Sequence, residues 1–354
     1  MIPRVHRFPE NPLITPEQVR PSLEGWEVVC AFNPGAIRVR DELVLLVRVA
    51  ERPVSEDPGE LTAPVLDLSS SAPYLRSVRF PRGDPDLVEM DPRWFIYRGQ
   101  TYLSTISHLR LARTRDGRRF VVDEHPALAP ETWYESFGIE DPRITELEGR
   151  YLITYTAVSA HGIATALAET ADFVTVTRRG LIFPPENRDV TIFPEKVGGR
   201  YVCHHRPFPR HIGAPSLWAA SSPDLQHWGG HELVMSPRRG LWDGGRIGGG
   251  AVPIKTECGW LAVYHGADEQ NRYALGAVLC DLDHPARLLA RSAQPLLVPE
   301  APYEVVGFFS NVVFTCGAIL EDDTLMIYYG AADRCVCVAS VSLSKVLDSL
   351  TPVV

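Results

Sequence analysis

The densest chemistry in the chain lies in Glu140-Asp141-Pro142-Arg143, where two carboxylates and a guanidinium flank a proline. Gly138-Ile139 precede them. An apolar strand, a turn at Glu148-Gly149 and a second strand alternating Tyr151, Ile153 and Tyr155 follow. Acidic side chains held at the mouth of a rigid hairpin suit general acid–base work. The plainer reading is a capped turn, with Asp141 bonded to backbone and Arg143 paired with Glu140. What decides between them is whether other reactive residues face the same point.

Several polar side chains interrupt apolar strands, where an unpaired charge costs on the order of several kcal/mol. They are Asn33 and Arg48, Asp141 and Arg143, Arg206, His265 and, just after a strand, Asp333. Arg188-Asp189 and Trp242-Asp243-Gly-Gly-Arg246 stand before two other strands. Each alone has a structural alternative as a satisfied buried group. Their recurrence at equivalent positions argues for a shared polar channel. Arg188, Arg206, His265 and Tyr273 together would bind a tetrahedral oxyanion, the arginines by forked, charge-assisted hydrogen bonds. Asp141 suits an acid, and Asn33 and Asp333 suit sugar hydroxyls. An inverting glycosidase needs a second carboxylate about 6.5–9.5 Å away to activate water. If basic residues occupy that face instead, phosphate fits better than water.

The elements that position these residues repeat. An apolar or proline-containing strand meets a charged or glycine turn, then a Tyr-rich apolar strand, then a strand of small residues. The copies begin near Phe32, Asp141, Ile192, Val252 and Val312. Such copies predict an all-β chain, a five-bladed β-propeller with one copy per blade and inner strand ends facing a central channel. Residues 1–354 then form a single catalytic domain. Residues 51–99, rich in Pro, Asp and Ser, predict an inserted, lid-like loop in the first blade. Helical periodicity is confined to a short segment around 342–350.

The net charge of -9 disfavours nucleic acid and anionic membrane surfaces as partners. The seven cysteines sit mostly in apolar runs and without tight pairs, which reads as reduced, buried thiols. Cys335-Val336-Cys337 would put two sulfurs on one strand face, but no second ligand pair accompanies them, and no metal is expected. The N-terminus lacks the apolar run of a signal peptide, and the longest apolar runs are of strand length. A cytoplasmic protein is the expectation, and nothing excludes a homo-oligomer.

With these residues assembled, the chain resembles glycoside hydrolase family 130, the inverting β-mannoside phosphorylases and related β-mannosidases. The resemblance rests on Phe32-Asn-Pro-Gly35, Gly138-Ile-Glu-Asp-Pro-Arg143, Phe193-Pro-Glu-Lys196 with His205-Arg206-Pro207, Arg246-Ile-Gly with Gly259–Gly266, and Tyr328–Asp333. It implies that Asp141 is the general acid, relaying its proton through the 3-hydroxyl of the mannose whose bond is cleaved. It implies phosphate binding by Arg188, Arg206, His265 and Tyr273. Contacts to that mannose fall on Asn33, Arg48, Arg143 and Asp333, with Arg246 where many relatives carry lysine. The implied reaction takes a β-mannoside, of the β-1,4-mannooligosaccharide or mannosyl-glucose or mannosyl-GlcNAc type, and inorganic phosphate to α-mannose 1-phosphate and a shortened acceptor, with inversion and no further cofactor. The alternatives are a β-1,2-mannosidase of the same family, which uses water, and a non-catalytic sugar-binding propeller.

Overall fold

The computed structural model describes residues 3–91 and 93–353. Five antiparallel sheets of four or more strands dominate it, one for each sequence copy. The first strands of the sheets are Trp26–Val39, Gly138–Leu147, Asn187–Ile192, Arg246–Gly249 and Val313–Glu321. In each sheet that strand pairs with the Tyr-rich or apolar strand that follows it.

The apolar runs exist because both faces of each sheet are covered. In Leu43-Val44-Leu45-Leu46-Val47, the side chains of Leu43, Leu45 and Val47 pack with Val336 and Val338 of the fifth sheet. Val44 and Leu46 point the other way, onto Ile139, Ile144 and Ile153 of the second sheet. Period-2 geometry then demands hydrophobic residues at every position rather than at alternate ones. The remaining seams are filled alike. Leu152 and Leu167 meet Ile192 and Cys203 between the second and third sheets. Phe193 and Val202 meet Trp260 and Val278 between the third and fourth. Leu261 and Leu275 meet Leu325 and Ile327 between the fourth and fifth. The first strands of the first and fifth sheets also touch.

Two chain ends are stitched into these sheets. His6–Arg7 adds an outer strand to the fifth sheet beside Cys335–Ser342, and Leu350–Pro352 adds one to the fourth beside Leu288–Ser292. Neither pairing was legible locally. A buried carboxylate, tyrosine and arginine recur as well. Tyr155 donates to Glu135 at 2.7 Å, Tyr264 to Asp243 at 2.7 Å and Tyr329 to Glu304 at 2.7 Å. Arg178, Arg291 and Arg7 complete the three sets at 3.0, 2.6 and 2.8 Å. Each set fixes the segment that leads into a first strand, and each charge is paired, as burial requires.

Three sequence expectations change. Residues 51–99 are not a loop: they continue the strand Glu42–Pro53, then form a hairpin, Glu60–Asp67 with Tyr74–Pro81, and enter a three-stranded sheet, Leu87–Asp91, Trp94–Tyr97 and Gln100–Leu103. Ala63, Phe80 and Phe95 give this insertion a small core of its own. The first strand of the third sheet is Asn187–Ile192, not a strand beginning at Ile192, so Arg188 and Asp189 lie within it. The first strand of the fourth sheet begins at Arg246, and the expected Val252–Lys255 contributes only the short Ile254–Thr256. The helix Leu343–Ser349 lies within the segment read as helical. Among the described residues no helix is long and apolar enough to cross a membrane.

Candidate active site

The same backbone device places three of the polar residues. In the first sheet Phe32 pairs with Arg48 and Gly35 with Leu46, so Asn33-Pro34 bulge out of register. Asp141-Pro142 do so between Glu140 and Arg143, and Asp189-Val190 between Arg188 and Thr191. Asn33, Asp141 and Asp189 have φ of 46°, 48° and 58°. Asn and Asp tolerate this left-handed conformation better than other side chains do, and a bulge re-aims the side chain it carries. Proline, which has no N–H to pair, fits the position after it.

These bulges aim side chains of three sheets into one cavity of about 570 Å³, which the other two sheets line as well. Its walls include Asn33, Arg48, Glu140, Asp141, Arg188, Asp189, Arg206, Arg246, His265, Tyr273 and Asp333. Every site residue expected from sequence is thus at the cavity except Arg143.

On one side stands a group of carboxylates. Asp141 Oδ1 accepts from Asn33 Nδ2 at 2.9 Å and from Arg48 Nη1 at 3.2 Å. Arg48 Nη2 donates to Glu140 Oε1 at 2.6 Å, and its Nε to Ser107 Oγ at 3.1 Å. Its guanidinium also lies 4.6 Å from the Phe32 ring centroid, a cation–π contact. Burial pushes Asp333 up to about 7, with Arg48 opposing and the Asp141 and Glu140 charges adding to the rise. Burial also raises Glu140, again against Arg48. Gly330 makes room here, since a Cβ on it would come within 2.0 Å of Asn33 Oδ1.

Cations face them. Arg188 and Arg206 are direct cross-strand partners and lie 5.8 and 5.5 Å from the Phe208 ring centroid. Asp189 anchors Arg206. It accepts from Arg206 Nε at 2.7 Å and Arg143 Nη2 at 3.1 Å, with His265 Nε2 3.4 Å away. Burial opposes its charge, yet Arg206, His265 and Arg143 hold its carboxyl well below the usual range. Burial lowers both Arg206 and His265, with Asp189 opposing. Three buried nitrogens of this cluster, Arg188 Nε, Arg206 Nη1 and His265 Nδ1, have no hydrogen-bond partner among the described residues. Arg246 donates to the Tyr273 hydroxyl at 3.1 Å and to Asn271.

Arg143 differs from its expected place. It is buried beneath the cavity, donating to Asp189, to the Asp141 carbonyl at 3.0 Å, and to the Gly249 and Gly250 carbonyls at 2.8 and 3.1 Å. It does not pair with Glu140, and its hydrogen bonds run between the second, third and fourth sheets. Sequence reasoning also passed over the aromatic walls Phe137, Phe208 and Phe309, and over Arg93 and Trp94 from the insertion. One signal was available: Asp91-Pro92-Arg93 repeats the Asp-Pro-Arg of 141–143.

An acid facing cations with unpartnered donors can protonate a leaving group on one side and hold an oxyanion on the other. Residues 88–351 match glycoside hydrolase family 130, described as beta-1,4-mannooligosaccharide phosphorylase. The chain is 47% identical over 350 residues to the beta-1,2-mannobiose phosphorylase of Listeria innocua, covering 98% of each sequence. It is 38% identical over 248 residues to a 1,2-beta-oligomannan phosphorylase of Thermoanaerobacter sp., covering 69% of this chain and 82% of that one. A solved structure of beta-1,2-mannobiose phosphorylase from Listeria innocua with beta-1,2-mannobiose matches with a TM-score of 0.92 and covers 98% of this chain and 99% of the other. The chain is therefore an enzyme belonging to glycoside hydrolase family 130.

Proposed function

We propose that the protein is an inverting β-mannoside phosphorylase acting on β-1,2-linked mannosides, with phosphate as co-substrate, and that its five sheets are the blades of a β-propeller. The observation that carries the reaction type is the cluster of Arg188, Arg206 and His265, each with one buried nitrogen that lacks a partner among the described residues, in the cavity that Asp141 also lines. Leaving buried donors unpaired costs about 1–3 kcal/mol each. Phosphate oxygens would satisfy the arginine donors, which water or a neutral sugar does less well. Full-length similarity to a β-1,2-mannobiose phosphorylase supports the β-1,2 linkage over the β-1,4 type expected from sequence.

In this reading Asn33, Arg48 and Asp333 hold the mannose whose bond is cleaved. Phosphate held by Arg188, Arg206, His265 and Tyr273, with Arg246 beside Tyr273, attacks C1 from the α face. The C1–O bond to the second sugar breaks, and Asp141 supplies the proton its oxygen takes up, through the 3-hydroxyl of the mannose. Arg143 acts at one remove, by fixing the carbonyl of Asp141 and the carboxylate of Asp189. The test incubates the enzyme with β-1,2- and β-1,4-mannobiose, with and without phosphate. Expected is α-mannose 1-phosphate from the β-1,2 substrate only when phosphate is present. Release of free mannose without phosphate would make the enzyme a hydrolase, and turnover of the β-1,4 substrate alone would reverse the linkage.

A further inference from the structure

The insertion has the build of a rigid arm rather than a covering loop. Phe80 packs against Phe95, Tyr97 and Tyr102 at ring distances of 5.1, 5.0 and 4.7 Å. At its tip, Arg93, which follows the strand Leu87–Asp91, and Trp94, which opens the strand Trp94–Tyr97, line the active-site cavity. One carboxylate orients both. Asp91 accepts from Arg93 Nη2 at 2.8 Å, Arg93 Nε at 3.1 Å and Trp94 Nε1 at 3.2 Å. Arg93 is half exposed, lies 5.2 Å from the Phe309 ring centroid, and feels the charges of Asp333 and Glu140.

In a displacement with inversion, the attacking and departing groups lie on opposite faces of the same carbon. Phosphate on the Arg188–Arg206 side sends the departing sugar toward the acid side and outward. Of the cavity walls not engaged with phosphate or the cleaved mannose, the tip of the insertion is the part carrying both an indole and a guanidinium. Indoles stack on the apolar faces of sugars, and guanidinium donors suit vicinal hydroxyls. We infer that Arg93 and Trp94 form the wall that recognises the departing mannosyl group, and that Asp91 is the positioning residue that holds them. This assignment rests on the phosphorylase reading above.

The test runs the reaction backwards, with α-mannose 1-phosphate as donor and mannose as acceptor. Trp94→Ala and Arg93→Ala are each expected to raise KM for mannose by about tenfold, with KM for mannose 1-phosphate within about twofold. Trp94→Phe should recover most of the loss. Should Trp94→Ala fail to fold, Arg93→Ala, which changes a half-exposed side chain, carries the same measurement. An unmoved acceptor KM, or an equal rise in both constants, overturns the assignment. So does a rise confined to phosphate KM in the forward direction, which would put Arg93 on the phosphate side. Wild-type enzyme that neither forms nor consumes mannose 1-phosphate overturns the phosphorylase reading and this assignment together; active wild type with unaltered variants overturns this assignment alone.

Discussion

The two sides of the cavity are built on one plan with the charges exchanged. On the acid side one cation, Arg48, is shared by two carboxylates, Asp141 and Glu140. On the basic side one carboxylate, Asp189, is shared by Arg206, Arg143 and His265. Asp141 and Asp189 even occupy the same place, the left-handed bulge residue of successive first strands. Their surroundings separate them. Asp189 is 1% exposed and enclosed by cations, so its charge is held and its role is to orient others. Asp141 is 8% exposed and faces the cavity, with Asn33 and Arg48 on one oxygen. A repeated backbone position supplies the aspartate, and its neighbours decide how far cations enclose it.

Removing the charge at each aspartate breaks the comparison most sharply. Asp141→Asn keeps the shape of the acid side and removes its proton donor, so kcat should fall about 10²–10⁴-fold while mannoside binding persists. Near-normal phosphorolysis in that variant would leave the two aspartates without distinct roles. Asp189→Ala should act on folding instead, because it strands Arg143 and Arg206 in the interior; about 3–5 kcal/mol of stability is expected to go, read by denaturant unfolding. A variant as stable as wild type would mean that the cations are held by something other than Asp189.

Arg206→Ala sharpens the division of labour, with KM for phosphate rising about tenfold or more and KM for the mannoside changing by less than about twofold. A matching rise in both would erase the boundary between the sides. The smallest effect concerns pH. Burial pushes Asp333 up to about 7 in the fold from an ordinary 3.8, so across that window the native state holds a proton that the unfolded chain has lost. Stability from this group is complete below the lower value and declines as pH rises through the upper one. Asp333→Asn should remove that slope, gaining stability relative to wild type between about pH 5 and pH 8. Parallel pH curves for the two proteins would exclude the buried proton.

What could be read along the chain was what short-range rules govern. Runs such as Leu43–Val47 reported strands covered on both faces, the five copies reported five sheets, and charged residues out of place reported the cavity. Asn33, Arg48, Asp141, Arg206, His265 and Asp333 were legible in this way, Arg188 and Arg246 stood just before strands, and Tyr273 joined them as a candidate anion ligand; all are at the cavity. Partners distant in sequence were not. Arg143 looked like a companion of Glu140 because its true partner, Asp189, lies 46 residues on, in a strand of another sheet. The insertion looked like a loop because its core joins Ala63, Phe80 and Phe95, whose spacing matches no local period. The sequence by itself determined the all-β repeat and the types of residue available for acid–base and anion chemistry, since periodicity and side-chain chemistry are local properties. Only the tertiary structure decided which bulge aspartate is enclosed as the anchor of the cations, which one keeps Asn33 and Arg48 as partners, and that Arg93 and Trp94 reach the same cavity. Those outcomes depend on register and on contacts between sheets, which the chain acquires only when its seams close.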